Sequence, residues 1–117
     1  VKQTTMYMLL NAKGEVLLEK RPPTGIWGGL WSFPESPEVL SEAQTDTVQQ
    51  WPILRHTFSH FHLDITPVLL SSKVQDKLRN QIMDSSRLLW YNIDKPQALG
   101  LAAAVSKLLR QLSESIT

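Results

Sequence analysis

The sequence predicts a single α+β domain with a mixed or mostly antiparallel sheet, a helix in the middle of the chain and an amphipathic helix at its C-terminus. Three observations lead to this prediction. Short apolar runs alternate with turn-forming residues in the N-terminal part, residues 60–66 alternate with a period of two, and a helical apolar stripe follows residue 100. Strands followed by a helix, further strands and a closing helix are typical of an α+β domain.

Length and composition exclude several classes of protein. The chain has 117 residues, 42% of them hydrophobic, which is enough to bury a core without a disulfide or a structural metal. Because it contains no cysteine, these residues form neither a disulfide scaffold nor a thiolate zinc site nor an iron–sulfur site. A net charge of +1 is too small to drive sequence-independent binding to nucleic acid by bulk attraction.

The ends of the sequence favour a domain from a longer, untargeted protein. No apolar run approaches the roughly 18 residues of a membrane span, so we expect no membrane partner. The polar start at Val1 does not resemble a signal peptide. It leads directly into an apolar run, as expected for a domain that follows a linker.

The N-terminal third predicts a hairpin, a structured loop and a short strand. Residues 6–10 and 16–18 are apolar and flank the turn at 11–14, which ends in glycine. Residues 21–31 contain two prolines, three glycines and two tryptophans, so they form a structured loop and not a regular element. Residues 31–33 predict a short strand.

Two helices and three further strands are predicted beyond this point. Acidic residues at four-residue spacing predict a helix over residues 37–50 with one acidic face, formed by Glu38, Glu42 and Asp46. Strands are expected at 53–57, 60–66 and 88–91, with a loop over 71–86. A single apolar stripe predicts the C-terminal helix: Leu101, Val105, Leu108, Leu109 and Leu112.

Several segments in one order resemble the C-terminal domain of bacterial adenine DNA glycosylases of the MutY family. They are RPPTGIWGGLWSFP at 21–34, HTFSHFHL at 56–63, LWYN at 89–92 and GLAA at 100–103, so the resemblance covers nearly the whole chain. It implies a Nudix-like fold, the fold of MutT. It also implies that residues 1–117 form one lesion-recognition domain in base excision repair.

In that family, according to the resemblance, this domain recognises 8-oxoguanine opposite adenine in double-stranded DNA, and G:A mispairs are also bound. A separate N-terminal catalytic domain of the same chain then removes the adenine. The resemblance implies that residues 1–117 contribute no catalytic residue and no cofactor. A [4Fe-4S] cluster is expected in the N-terminal domain of the parent enzyme, and the parent is expected in the bacterial cytoplasm.

Phe58, Ser59 and His60 are the candidate lesion-binding residues, because a ring, a hydroxyl and an imidazole occur together at the start of a predicted strand. Guanine presents N7 as an acceptor, whereas 8-oxoguanine carries a hydrogen there. A discriminating site needs an acceptor, which either a serine hydroxyl or a nearby backbone carbonyl supplies. The resemblance implies the same assignment. The alternative is a structural turn with Phe58 in the core and Ser59 capping it.

Lys20, Arg21 and Arg55 are candidate phosphate contacts, which position DNA without reading its sequence. The loop tryptophans Trp27 and Trp31 fit either a stacking platform for a base or, more simply, core packing.

A metal site and two alternative functions have weaker support in the sequence. The pattern His60-x-His62-x-Asp64 has residue types that bind zinc or iron, but a fourth ligand is not visible, so we expect no metal and interpret it as a polar face. A stand-alone Nudix hydrolase of oxidised nucleotides needs a helix with the pattern R-E-x-x-E-E, which this chain lacks. A protein-interaction module with the same fold is the third hypothesis.

Overall fold

The computed structural model describes residues 1–11, 13–35, 45–72, 87–95 and 98–116. These residues form seven strands and one helix. The elements in chain order are β1 (Lys2–Leu10), β2 (Glu15–Lys20), β3 (Trp31–Ser32), β4 (Thr45–Gln50), β5 (Leu54–Thr57), β6 (His62–Ser72), β7 (Leu88–Asn92) and α1 (Ala103–Ile116).

The sheet is mixed, as predicted, and β6 is its central strand. On one edge, β6 pairs in parallel with β1, from Lys2 opposite Leu63 to Leu10 opposite Ser71. On its other edge it pairs antiparallel with β5 at its N-terminal end and with β4 at its C-terminal end. Strand β2 pairs antiparallel with β1, β3 and β7. The long β6 and β5 therefore form the hairpin that contains the candidate lesion-binding residues.

The predicted N-terminal hairpin is present, and Asn11 explains its turn. The Asn11 side-chain oxygen accepts hydrogen bonds from the backbone amides of Lys13 and Glu15, each at 3.0 Å. Gly14 has a φ of 79°, a left-handed conformation that glycine adopts without steric cost. Asparagine and glycine thus supply the turn chemistry that joins β1 to β2.

The core lies between one face of the sheet and α1. Val105, Leu108 and Leu112 of the helix are fully buried against Met6 and Met8 of β1 and their neighbours. The predicted stripe is confirmed at these positions and at Leu109. The polar residues Lys107, Arg110 and Gln111 are exposed.

Leu101 departs from the predicted stripe because it precedes the helix. It forms a parallel bridge with Trp31, and the amide of Ala102 donates to the Trp31 carbonyl at 3.0 Å. On the opposite face of the sheet a smaller apolar cluster packs around Leu9, Leu17 and Trp90.

The predicted extension of the middle helix to Gln50 is wrong, because Thr45–Gln50 form β4. Val48 and its threonine neighbours suit a strand, and backbone pairing with the end of β6 outweighs the weak helical pattern. Asp46 therefore does not continue a helical acidic face, and Glu38 and Glu42 lie outside the described residues.

The strands predicted at 53–57 and 88–91 correspond to β5 and β7. Strand β6 continues to Ser72, so the loop predicted over 71–86 begins later than expected, and residues 73–86 lie outside the described part. Within the described residues, the helix is too short and too polar to cross a lipid bilayer.

Candidate functional site

The turn between β5 and β6 brings the three candidate lesion-binding residues together. Thr57 pairs with His62, and the amide of Phe58 donates to the carbonyl of Phe61 at 2.8 Å. Ser59 and His60 therefore occupy the two central positions of a tight turn, and both are exposed. No side-chain hydrogen bond joins Ser59 or His60 to another described residue, and both side chains are exposed to solvent.

An aromatic cluster supports this turn on one face of the hairpin. It consists of Trp27, His56, Phe58 and Phe61, all half-buried. The rings of Phe58 and Phe61 stack with centroids 4.7 Å apart, and His56 meets Phe58 edge to face, also at 4.7 Å. The Nζ atom of Lys2 lies 4.7 Å from the centroid of Phe61, within the range of a cation–π contact.

Phe58 thus has an intermediate environment. Its ring packs against the edge of the core cluster, as the structural-turn alternative requires, yet it is only half-buried. The stack of Phe58 on Phe61 fixes both residues that flank the turn, because ring pairs at this spacing have a preferred geometry. The hydroxyl and the imidazole therefore lie on a turn whose aromatic base is this stacked pair of rings.

The other face of the hairpin is polar and internally paired. Arg55 and Asp64 lie opposite each other and form two hydrogen bonds, at 2.7 and 3.0 Å. This contact lowers the pKa of the Asp64 carboxyl, chiefly through the Arg55 hydrogen bond, and raises the pKa of Arg55 through the same bond. Thr57 Oγ1 lies 3.0 Å from His62 Nδ1.

This pairing explains why the His60, His62 and Asp64 pattern does not form a ligand cluster here. His60 lies in the turn and not on the strand, and His62 and Asp64 each have a partner on β5. Among the described residues, no group of three or more His, Asp or Glu side chains is arranged to hold a metal ion.

The candidate phosphate contacts do not form one cluster. Arg55 lies on the polar face of the hairpin, with its guanidinium engaged by Asp64. The Nε atom of Arg21 donates to the carbonyl of Ile26 at 2.9 Å, and its Nη1 atom lies 3.0 Å from the Glu35 carboxylate. Both arginines are therefore partly neutralised by internal acceptors.

Lys20 is exposed at the end of β2 and belongs to a groove of about 610 Å³. The groove is lined by Lys20, Arg21, Pro22, Pro23, Gly29 and Arg87. Arg87 was not predicted as part of any site. It reaches this groove because its carbonyl accepts a hydrogen bond from the Lys20 amide at 2.8 Å, where β7 begins beside β2. Only the strand pairing reveals this proximity.

The loop over residues 21–30 is closed by contacts within its own backbone. The amide of Gly29 donates to the carbonyl of Pro22 at 3.0 Å. A Cβ atom on Gly28 would lie 2.6 Å from the carbonyl oxygen of Pro23, so only glycine fits there. Trp27 has a φ of 54°, a conformation that costs on the order of 1–3 kcal/mol in a residue with a side chain.

The Trp27 ring contacts His56 and Phe58, with centroid distances of 5.2 and 5.3 Å. Trp27 therefore packs at the edge of the core, which agrees with the simpler of the two interpretations of the loop tryptophans. The sequence offered no signal for a contact between this loop and the β5–β6 turn, because the two segments are about 30 residues apart along the chain.

A family model described as NUDIX domain matches residues 5–111. Among curated proteins, the adenine DNA glycosylase of Buchnera aphidicola subsp. Baizongia pistaciae is 27% identical over 92% of this chain and 32% of its own length. The enzyme of the same name from Buchnera aphidicola subsp. Acyrthosiphon pisum is 24% identical over 98% of this chain and 34% of its own length. The chain thus spans about a third of these relatives.

Solved structures agree with this fold. The C-terminal domain of mouse MUTYH, solved in complex with human PCNA, has a TM-score of 0.69 at 16% identity, covering 97% of this chain and 88% of that one. The NUDIX domain of Shewanella oneidensis NrtR, solved with ADP ribose, has a TM-score of 0.69 at 19% identity, covering 99% and 88%. At these identities the likeness shows the fold alone, which is Nudix-like, as the family resemblance implied.

Proposed function

Because the chain belongs to the NUDIX domain family, and its curated relatives are adenine DNA glycosylases, we propose that it is the lesion-recognition domain of such an enzyme. In this proposal it recognises 8-oxoguanine opposite adenine in double-stranded DNA, and G:A mispairs more weakly. A separate N-terminal domain then cleaves the bond between adenine and its sugar. The observation that carries the proposal is the exposed Ser59–His60 turn on its aromatic base.

The chemistry of the turn suits the oxidised base. The lesion differs from guanine at two adjacent atoms, since N7 becomes a donor and C8 carries an oxygen. A serine hydroxyl accepts one hydrogen bond and donates another, so Ser59 is able to pair with N7–H. Undamaged guanine, with an acceptor at N7, pairs with the same hydroxyl only if that hydroxyl rotates to donate. His60 adds a second polar group beside it.

The proposed phosphate contacts divide between two places. Lys20 and Arg21 line the groove that Arg87 also lines, and a DNA backbone bound there would meet cationic side chains from the end of β2 and from the residue that precedes β7. Arg55 would contact a phosphate only while sharing its guanidinium with Asp64. These contacts would position the duplex and contribute no lesion specificity.

The remaining parts of the proposal concern the full-length protein. This chain has no cysteine, so its residues do not fit a [4Fe-4S] cluster, and any such cluster would be bound by the catalytic domain. We propose that the domain itself has neither a catalytic residue nor a cofactor, and that the full-length enzyme acts in the bacterial cytoplasm.

A stand-alone hydrolase of oxidised nucleotides is the alternative function within the same fold. It is disfavoured by the sequence, because no R-E-x-x-E-E pattern is present to bind the catalytic metal. A protein-interaction module would need an exposed apolar surface away from the β5–β6 turn, and the exposed side chains of Val48 and Ile53 are the described residues that could contribute to one.

Mapping of DNA onto the chain by NMR tests the proposal. A duplex containing 8-oxoguanine opposite adenine would be titrated at low salt into the ¹⁵N-labelled chain, with an undamaged duplex as the reference. We expect the largest amide shift changes at Ser59, His60 and their neighbours, and smaller changes along the groove at Lys20. Ser59→Ala should reduce the shift changes at the turn, whereas Ser106→Ala, at an exposed serine on α1, is the matched control and should leave them unchanged. Shift changes confined to the groove would contradict a reading role for the turn.

A further inference from the structure

We propose that Trp27 is a positioning residue for the Ser59–His60 turn, an inference that rests on the proposed function. The Trp27 ring packs against both His56 and Phe58. Phe58 directly precedes the turn, and its amide donates the hydrogen bond that closes it. A displacement of the Phe58 ring would therefore move the backbone from which the Ser59 hydroxyl projects.

The backbone of Trp27 provides an independent reason for this inference. Its φ of 54° is the only positive value at a non-glycine residue within the described ranges. A bulky side chain is disfavoured in this conformation because its Cβ atom crowds the following carbonyl oxygen. Glycine adopts it freely, and glycines surround this position at 25, 28 and 29. Such strained residues persist where their surroundings fix them, and they cluster at functional sites.

The loop that holds the tryptophan is itself anchored. Arg21 donates a hydrogen bond to the carbonyl of Ile26, the residue before Trp27, and forms an ion pair with Glu35. The close approach of Gly28 to the Pro23 carbonyl fixes the other side of the loop. In this account the Arg21 guanidinium holds the loop through these two contacts. The loop thus presents one indole ring to the β5–β6 hairpin in a fixed orientation.

Three substitutions separate the role of the ring from that of backbone strain. Trp27→Gly removes the ring and relieves the strain, Trp27→Ala removes the ring and keeps the strain, and Trp27→Phe keeps an aromatic ring. If the role is positional, the two variants without the ring should both loosen the turn, although Trp27→Gly should unfold at a higher temperature than Trp27→Ala. Trp51→Ala is the matched control, because Trp51 is also half-buried and no ring contact joins it to the described aromatic cluster.

The first measurement needs no DNA. Backbone order parameters of Ser59 and His60 are measured by ¹⁵N relaxation on the folded chain. We expect values of about 0.85 in the wild type, Trp27→Phe and Trp51→Ala, and below about 0.6 in Trp27→Gly and Trp27→Ala. Unchanged order at Ser59 and His60 in a folded Trp27→Gly chain would overturn the inference.

The second measurement uses the full-length protein and the ratio of its affinities for 8-oxoguanine:A and G:A duplexes. Trp27→Gly should lower this ratio about threefold to tenfold, because a displaced hydroxyl loses much of one hydrogen bond. Trp27→Phe should retain the ratio. If Ser59→Ala lowers the ratio and Trp27→Gly does not, the inference is wrong while the proposed function stands. If Ser59→Ala leaves the ratio unchanged, the proposed function has failed, and with it the recognition role of Trp27.

Discussion

Replacing Phe58 with alanine tests whether the aromatic cluster is a cooperative unit. The Phe58 ring lies 4.7 Å from the rings of both His56 and Phe61, and 5.3 Å from that of Trp27. Truncating a fully buried phenylalanine costs about 3–5 kcal/mol. Since Phe58 is half-buried, roughly half of that range applies, and the aromatic pairs add about 0.5–1.5 kcal/mol. We expect Phe58→Ala to lower the free energy of unfolding by about 2–4 kcal/mol.

Urea denaturation of the chain measures this loss. A double-mutant cycle with Phe61→Ala should give a coupling energy of about 0.5–1.5 kcal/mol, because the stacked pair is removed by either change. Ser59→Ala, at the exposed neighbouring position, should stay within about 0.5 kcal/mol of the wild type. A loss below about 0.5 kcal/mol for Phe58→Ala, or a coupling energy of zero, would refute the existence of a cooperative cluster beneath the turn.

Three further predictions concern DNA binding, hydrolysis and pH. In low-salt titrations with matched duplexes, the isolated chain should bind DNA weakly with little lesion preference, because a net charge of +1 releases few counterions; a nanomolar preference for the oxidised duplex would contradict shared recognition. With magnesium or manganese, the chain should not release pyrophosphate from an oxidised guanine nucleotide; steady release abolished by Glu38→Gln or Glu42→Gln would instead indicate a hydrolase. Arg55 lowers the pKa of the Asp64 carboxyl. The difference in unfolding free energy between wild type and Asp64→Asn should therefore be constant above the unfolded pKa of about 3.9 and shrink as the pH falls through the lower folded value. A difference in melting temperature that grows in acid would contradict this.

Local patterns predicted the elements whose signals are contained in a few residues. Three such elements are present: the Asn11–Gly14 turn, the alternating strand through Leu63 and Ile65, and the apolar stripe of α1. Each is predicted by a single periodicity or by the residues of a single turn. Strand β4 was not predicted, because acidic residues at four-residue spacing favoured a helix, and the pairing with β6 that outweighs this pattern leaves no local signal. The parallel pairing of β1 with β6 joins segments about 60 residues apart and leaves no local signal.

The candidate site shows the same division. Ser59 and His60 were singled out because their residue types adjoin in the sequence, and the structure places them in one turn. The contact of Trp27 with Phe58 and the position of Arg87 beside Lys20 depend on how distant segments pack. The pairing of Arg55 with Asp64 depends on strand register, which sets opposing residues only once β5 and β6 are aligned.

The central claim is that the Ser59 hydroxyl reads the oxidised base. Its most direct test is the ratio between 8-oxoguanine:A and G:A, in affinity and in single-turnover rate of adenine removal, for full-length wild type, Ser59→Ala and Ser59→Thr. A lost hydrogen bond together with an unsatisfied buried N–H predicts a decrease of about tenfold to a hundredfold for Ser59→Ala, and a smaller one if water fills the gap. Ser59→Thr keeps a hydroxyl and should retain most of the ratio. An unchanged ratio in a folded Ser59→Ala protein, and in its double mutant with His60→Ala, would mean that the turn is purely structural.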